Sequence, residues 1–107
     1  MTNDQNPKRY DLEERTAAFA KAARRFVKGL SMTISNFEDA KQFIRASGSI
    51  GANYIEANEA IGKKDFLMKI KTCRREAKES RYWLDLLEVE GALEREESQS
   101  WQSRPRN

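Results

Sequence analysis

The residues of this chain best suited to chemistry are cations. Lys64, Lys71, Arg75 and Lys78 recur at steps of seven, four and three, which puts them on one face of an α-helix. Lys63, Arg74 and Arg81 flank that face. Such a stripe suits contact with phosphates spaced along a nucleic acid backbone. Arg24, Arg25 and Lys28, earlier in the chain, are candidates to extend it. The competing reading is a solvated face with internal pairing, because Glu76, Glu79 and Asp85 lie among the cations. No zinc finger or RNA-recognition motif accompanies the stripe. Gly48-Ser49-Ile50-Gly51 imitates the GxxG of a KH loop, but it sits in a helical context that such a loop does not have. Binding through the stripe is expected to be backbone-driven, salt-sensitive and poor at telling sequences apart.

Other chemistry is largely excluded by composition. There is no histidine, and Cys73 is the only cysteine. That removes Ser–His and Cys–His nucleophiles, Cys/His zinc sites and an intrachain disulfide. Glu56 and Glu59, with Glu76 and Glu79, imitate the carboxylates of di-iron bundles, yet those sites also need a Glu-x-x-His motif. No catalytic residue, metal or cofactor is therefore expected, and the protein reads as a non-enzyme. Cys73, inside an apolar helical pattern, reads as a small buried hydrophobe. Tyr54, Tyr82 and Trp83 are of a type that stacks on bases. At helical spacing beside Ile55 and Leu84 they read instead as core or interface. The first ten residues lack the apolar core of a signal peptide, and no run approaches membrane-spanning length. A cytoplasmic protein without a membrane partner is expected.

The elements that must position these residues are helices. The only two prolines, Pro7 and Pro105, lie near the termini, so nothing between them forces a chain break. Apolar or small residues at Leu12, Thr16, Phe19, Ala20, Ala23, Phe26, Val27 and Leu30 step by threes and fours, predicting a helix over 11–30 with Asp11 as its cap. A second helix over 36–61 is capped by Asn36 and stopped by Gly62. A third runs over 63–90 with Phe66, Ile70, Cys73, Ala77, Ser80, Leu84 and Leu87 on its stripe. Residues 63–87 hold eight basic against four acidic residues, a net charge of +4. After Gly91 the apolar pattern stops. The organisation expected is a flexible start over 1–10, a helical domain over 11–93 and a polar, disordered tail over 94–107.

RASGSIGANYIEANEA, residues 45–60, puts two glycines inside the second helix, each costing about 1 kcal/mol relative to alanine. Folding the chain about residue 62 sets Ile55 opposite Ile70, Ala52 opposite Cys73, Gly48 opposite Ala77 and Ala40 opposite Leu84. Small residues then meet small ones, so Gly48, Gly51, Ala52, Cys73 and Ala77 are expected to form a close crossing of helices two and three.

YDLEERTAAFAKAARRFVKGL, IRASGSIGANYIEANEA and KKDFLMKIKTCRREAKESRYWLDLL together resemble the four-helix bundle protein family, also called the 23S rRNA intervening-sequence proteins. The resemblance covers about residues 10–87. Its most specific element is SIGANYIEAN with KDF downstream, and the family signature of an Asn followed three residues later by a Glu falls on Asn53 and Glu56. The resemblance implies an all-α, up-down antiparallel bundle of the four-helix type that assembles into a homo-pentameric ring. It also implies kinship with the accessory variability proteins of diversity-generating retroelements, which are basic and work with nucleic acid and a nucleoprotein partner. This chain departs from the pattern in having three long helices and a truncated fourth. Asn53 and Glu56 are expected to act in structure or assembly, Glu56 by pairing with Lys69 or a neighbouring cation across the hairpin and Asn53 by a hydrogen bond across a helix or subunit interface. The function expected is a homo-oligomeric bundle that binds RNA or DNA through its basic face. The alternative is a scaffolding oligomer that binds a protein partner.

Overall fold

The computed structural model describes the backbone of residues 7–103 and the side chains of residues 11–87. Over that span the chain is all α-helix, in three elements with no strand among the described residues: α1 Pro7–Lys28, α2 Ile34–Asn58 and α3 Lys63–Ser103. The expected boundaries move for local reasons. Pro7 opens α1, because its fixed φ and missing N–H suit a first helical position. Thr33, rather than Asn36, caps α2: its hydroxyl accepts from the Asn36 amide at 3.1 Å. Asn36 is instead buried one turn inside, where its side-chain amide donates to the Ser31 carbonyl at 2.8 Å and closes the α1–α2 connection. α2 ends at Asn58, before the expected 61. Gly62 serves the next helix rather than stopping this one, since its carbonyl accepts the Phe66 amide at 2.9 Å.

α3 does not stop near 90. It is 41 residues long and continues to Ser103, through Gly91 and most of the segment expected to be a tail. That segment is polar, with Glu, Gln and Ser recurring, and holds no proline before Pro105. Glu and Gln sustain a helix, and one glycine costs too little to end it. No separate fourth helix occurs among the described residues. Residues 1–6 and 104–107, the remainder of the expected flexible ends, lie outside them.

α2 is the middle element. α1 and α3 each pack along it, while their backbones do not approach one another. The α2–α3 hairpin is antiparallel and keeps the register expected from the turn: Glu56 meets Lys69, the Ile50 carbonyl meets Cys73, and Arg45 meets Glu79. The core is centred on Phe43, 1% exposed, with Ala23 from α1 and Leu87 from α3. Val27, Leu30, Trp83 and Leu84 close around it. Phe19 and Phe26 of α1 set their rings edge-on to Phe43, at centroid distances of 6.2 and 6.4 Å.

The glycine face of α2 is turned differently from the expectation. A Cβ on Gly51 would lie 2.9 Å from Thr16 Oγ1 and 3.3 Å from Thr16 Cβ, both on α1. A Cβ on Gly48 would meet the guanidinium of Arg24, also on α1. Ala52 is exposed, and Ala77 is exposed on α3. Of the five small residues assigned to the α2–α3 crossing, only Cys73 is buried in it, with its thiol 3.5 Å from the Ile50 carbonyl. The thin side of α2 admits α1. Ala46 and Ser47 are fully buried as well.

Two stability effects follow. Gly51→Leu should force α1 away from α2 and lower stability by about 1–3 kcal/mol through overpacking. Thermal melting should register the loss, and adding Thr16→Ala should recover part of it; an unchanged Tm for the single variant would show that this flank of α2 is open. The Ser80 hydroxyl is buried without a hydrogen-bond partner, and such a group costs free energy to desolvate. Ser80→Ala should therefore melt at or above the wild-type temperature, and a clear drop would mean that the hydroxyl has a partner.

Candidate nucleic-acid interface

α3 carries the cations to its outer side by simple periodicity. Its buried positions are Cys73, Glu76, Ser80 and Leu87, and half a turn away stand Lys64, Lys71, Arg75 and Lys78, all exposed. At 1.5 Å per residue Lys64 and Lys78 are about 21 Å apart along the axis. Lys71, Arg74, Arg75 and Lys78 line a shallow depression of about 290 Å³.

The acidic residues near this stripe do not neutralise it. Arg45 of α2 reaches across the hairpin and binds two of them, with Nη1 to Glu76 Oε1 at 3.5 Å and Nη2 to Glu79 Oε1 at 2.9 Å. Glu76 is 8% exposed and its carboxylate is turned toward α2. Among the described residues, only Arg75 of the stripe has an acidic neighbour, Glu76 at 4.0 Å. Two carboxylates, Glu76 and Glu79, are thus held on the hairpin side of α3, away from Lys64, Lys71 and Lys78, while Asp85 is exposed on the groove side with Arg81.

The α1 cations form a separate group. Arg24 donates to the Ala20 carbonyl at 2.9 Å and lies over Gly48 of α2. Arg25 and Lys28 are exposed at the end of α1, a helix whose backbone does not approach α3. The structure therefore does not merge the two cationic groups into one continuous stripe.

Asn53 and Glu56 are one turn apart on the flank of α2 that faces α3. The Asn53 side-chain amide donates to the Ser49 carbonyl of its own helix at 2.9 Å, not across a helix interface. Glu56 Oε1 accepts from Lys69 Nζ at 2.7 Å, the cross-hairpin pair expected from the sequence. That hydrogen bond, with the Glu56 charge, holds the Lys69 ammonium above its ordinary pKa. A raised ammonium pKa contributes stability below the unfolded value and loses it as pH rises through the folded one, so the pair is intact across neutral pH. Lys69 is thereby withdrawn from the basic face. Burial pushes the Cys73 thiol above its ordinary value, which leaves little of the reactive thiolate.

Two features escaped sequence reasoning. One is Arg45, whose double pairing could only be found by knowing which flank of α2 meets α3. The other is an open, mainly apolar groove between α1 and α3, of about 610 Å³ at its middle, walled by Leu12, Thr16 and Phe19 of α1 and Ala77 and Leu84 of α3, with Ile50 of α2 as floor and Arg15, Arg81 and Asp85 at its rim. It continues toward Tyr54 and Ile70 at one end and Phe26 and Phe43 at the other. Leu12, Phe19 and Phe26 are each more than a third exposed along it. No cluster of metal-ligating side chains occurs among the described residues, nor any helix long and apolar enough to cross a membrane.

Comparison with curated proteins and with solved structures returned no match. The family model described as 23S rRNA-intervening sequence protein matches residues 8–106, nearly the whole chain. With three antiparallel helices over that same span, the chain belongs to the 23S rRNA-intervening sequence protein family.

Proposed function

We propose that the protein is a non-enzymatic, homo-oligomeric helical bundle that associates with nucleic acid through the outer face of α3. The observation that supports binding is the charge segregation made by Arg45. By holding Glu76 and Glu79 on the hairpin side, it leaves Lys64, Lys71 and Lys78 without an acidic partner among the described residues. An uncompensated row of cations about 21 Å long attracts a polyanion and gains from counterion release when it binds. Three of the four stripe cations are lysines, point charges suited to phosphates, so recognition would rest on the backbone.

Self-association is supported by the groove between α1 and α3. It is mainly apolar and continuous with the core at Ala23 and Phe43. α3 runs on to Ser103 without turning back, so it does not supply its own fourth helix to fill the space. A second copy of the chain is the occupant we propose, which makes the bundle complete only in the assembly. The pentameric ring implied by the family resemblance is one such assembly. The scaffolding alternative, in which the groove takes a different protein, is the second reading and is favoured by the same apolar walls.

Binding should be measured to single-stranded RNA, single-stranded DNA and duplex at two salt concentrations. The Lys71→Glu/Arg75→Glu/Lys78→Glu variant should bind weakly at low salt, and its dependence of log K on log salt should be flatter by roughly 2–3, one charge-release step per lost cation. Absence of wild-type binding at low salt, or binding that the variant leaves unchanged, sinks the basic-face reading. Sedimentation velocity of the wild-type chain should show an oligomer that Phe19→Glu dissociates. A monomer at tens of micromolar, about the concentration range of a weak association, would contradict assembly through the groove.

A further inference from the structure

Tyr82 lies on the same line as the cations. It follows Lys78 by four residues and Arg75 by seven, so the stripe reads Lys64, Lys71, Arg75, Lys78, Tyr82 along one face of α3. Unlike Tyr54 and Trp83, which are half-buried, Tyr82 is 58% exposed. Most of this ring stands in solvent at the end of the cationic row, and one aromatic contact supports it. Trp83, anchored against the core, meets it in a T-shaped contact with centroids 5.0 Å apart and planes at 71°. One such contact covers at most one face of the phenol ring.

A row of cations that tracks a phosphate backbone, ending in an aromatic platform, is the combination that binds unpaired nucleotides. In a duplex the bases are stacked inside and their faces are not available to Tyr82. In a single strand the base next to the phosphates on Lys78 and Arg75 is free to turn onto the ring. We infer that Tyr82 is a base-stacking residue and that the nucleic acid taken by α3 is single-stranded. This rests on the basic-face reading and narrows its ligand from polyanions in general to strands with unpaired bases. Stacking is tolerant of base identity, because every base has a π-face, so the inference keeps the lack of sequence preference.

The test compares wild type, Tyr82→Ala and Tyr82→Phe on three probes of equal length: a single-stranded oligonucleotide, in RNA and DNA forms, the matching duplex, and a single strand whose central nucleotides are abasic. Tyr82→Ala should weaken binding to the intact single strand by roughly 5- to 150-fold, the range that stacking of one base supplies. It should leave the duplex and the abasic strand unchanged. Tyr82→Phe, which keeps the ring and loses the hydroxyl, should bind as wild type does. Circular dichroism melts of both variants check the fold. Equal binding of the intact strand by wild type and Tyr82→Ala overturns the inference while leaving the cationic reading in place. So does a wild-type preference for duplex. Loss of affinity on all three probes alike would assign Tyr82 to general surface structure and overturn its stacking role. If wild type binds none of the probes, the basic-face reading itself is overturned. The RNA and DNA arms distinguish which strand chemistry is preferred.

Discussion

Among the described residues, the backbones of α1 and α3 approach α2 and not each other. α1 and α3 lie on opposite flanks of it, and the side chains of α2 are divided accordingly. One flank is stripped to Gly48 and Gly51, where Arg24 and Thr16 of α1 come close. The other is polar and carries Arg45, Ser49, Asn53 and Glu56 toward α3. Between them Phe43, Ile50 and Tyr54 form the floor of the apolar groove. A substitution that rotated α2 by a quarter turn would exchange these surfaces. The groove, the charge segregation and the basic face would all be lost together.

The polar flank does more than hold the hairpin. An ion pair half in solvent contributes modestly to stability, and Arg45 is about half exposed. Its larger effect is on where charge ends up. A helix with alternating charges would present a neutral surface at a distance, beyond a Debye length of about 8 Å at physiological salt. By drawing two carboxylates to one side, Arg45 leaves the outer face of α3 with an excess of positive charge. Lys69, held by Glu56, belongs to the hairpin and not to that face.

The three helices were legible in the sequence because their apolar residues step by threes and fours, and the α2–α3 register was legible because the turn between them is short. The glycine face was misassigned for a specific reason. A hairpin considered alone offers only one neighbour for small residues, whereas the middle helix of three has two. Stripe periodicity gives the angle between residues on α2, but not which neighbour stands at which angle. The end of α3 was misjudged because loss of apolar periodicity was taken for loss of helix, although residues such as Glu, Gln and Arg keep helical propensity without an apolar stripe. The cationic stripe was visible from spacing alone. Its lack of neutralising partners was not, since that depends on the rotamer of a residue thirty positions away. Tyr82 was read as core or interface from its helical spacing beside Leu84; its exposure removes the core half of that reading, since residues two apart on a helix point about 200° apart.

The one-sided attachment of α1 also sets an order of disassembly. α2 and α3 share the more extensive contact, a continuous turn and the cross-hairpin ion pairs. α1 is held by a single flank, joined through a short connection at 29–33. Proteins open in cooperative units whose cost follows the contacts they break. The least costly opening here is release of α1 as a unit, which leaves the hairpin folded and its cationic face intact while uncovering Phe43. Amide exchange would read that hierarchy directly, with α1 exchanging ahead of the central turns of α2 and α3. The bundle is in this sense a stable two-helix body with a detachable third, and whatever covers the groove also decides how firmly that third helix is held.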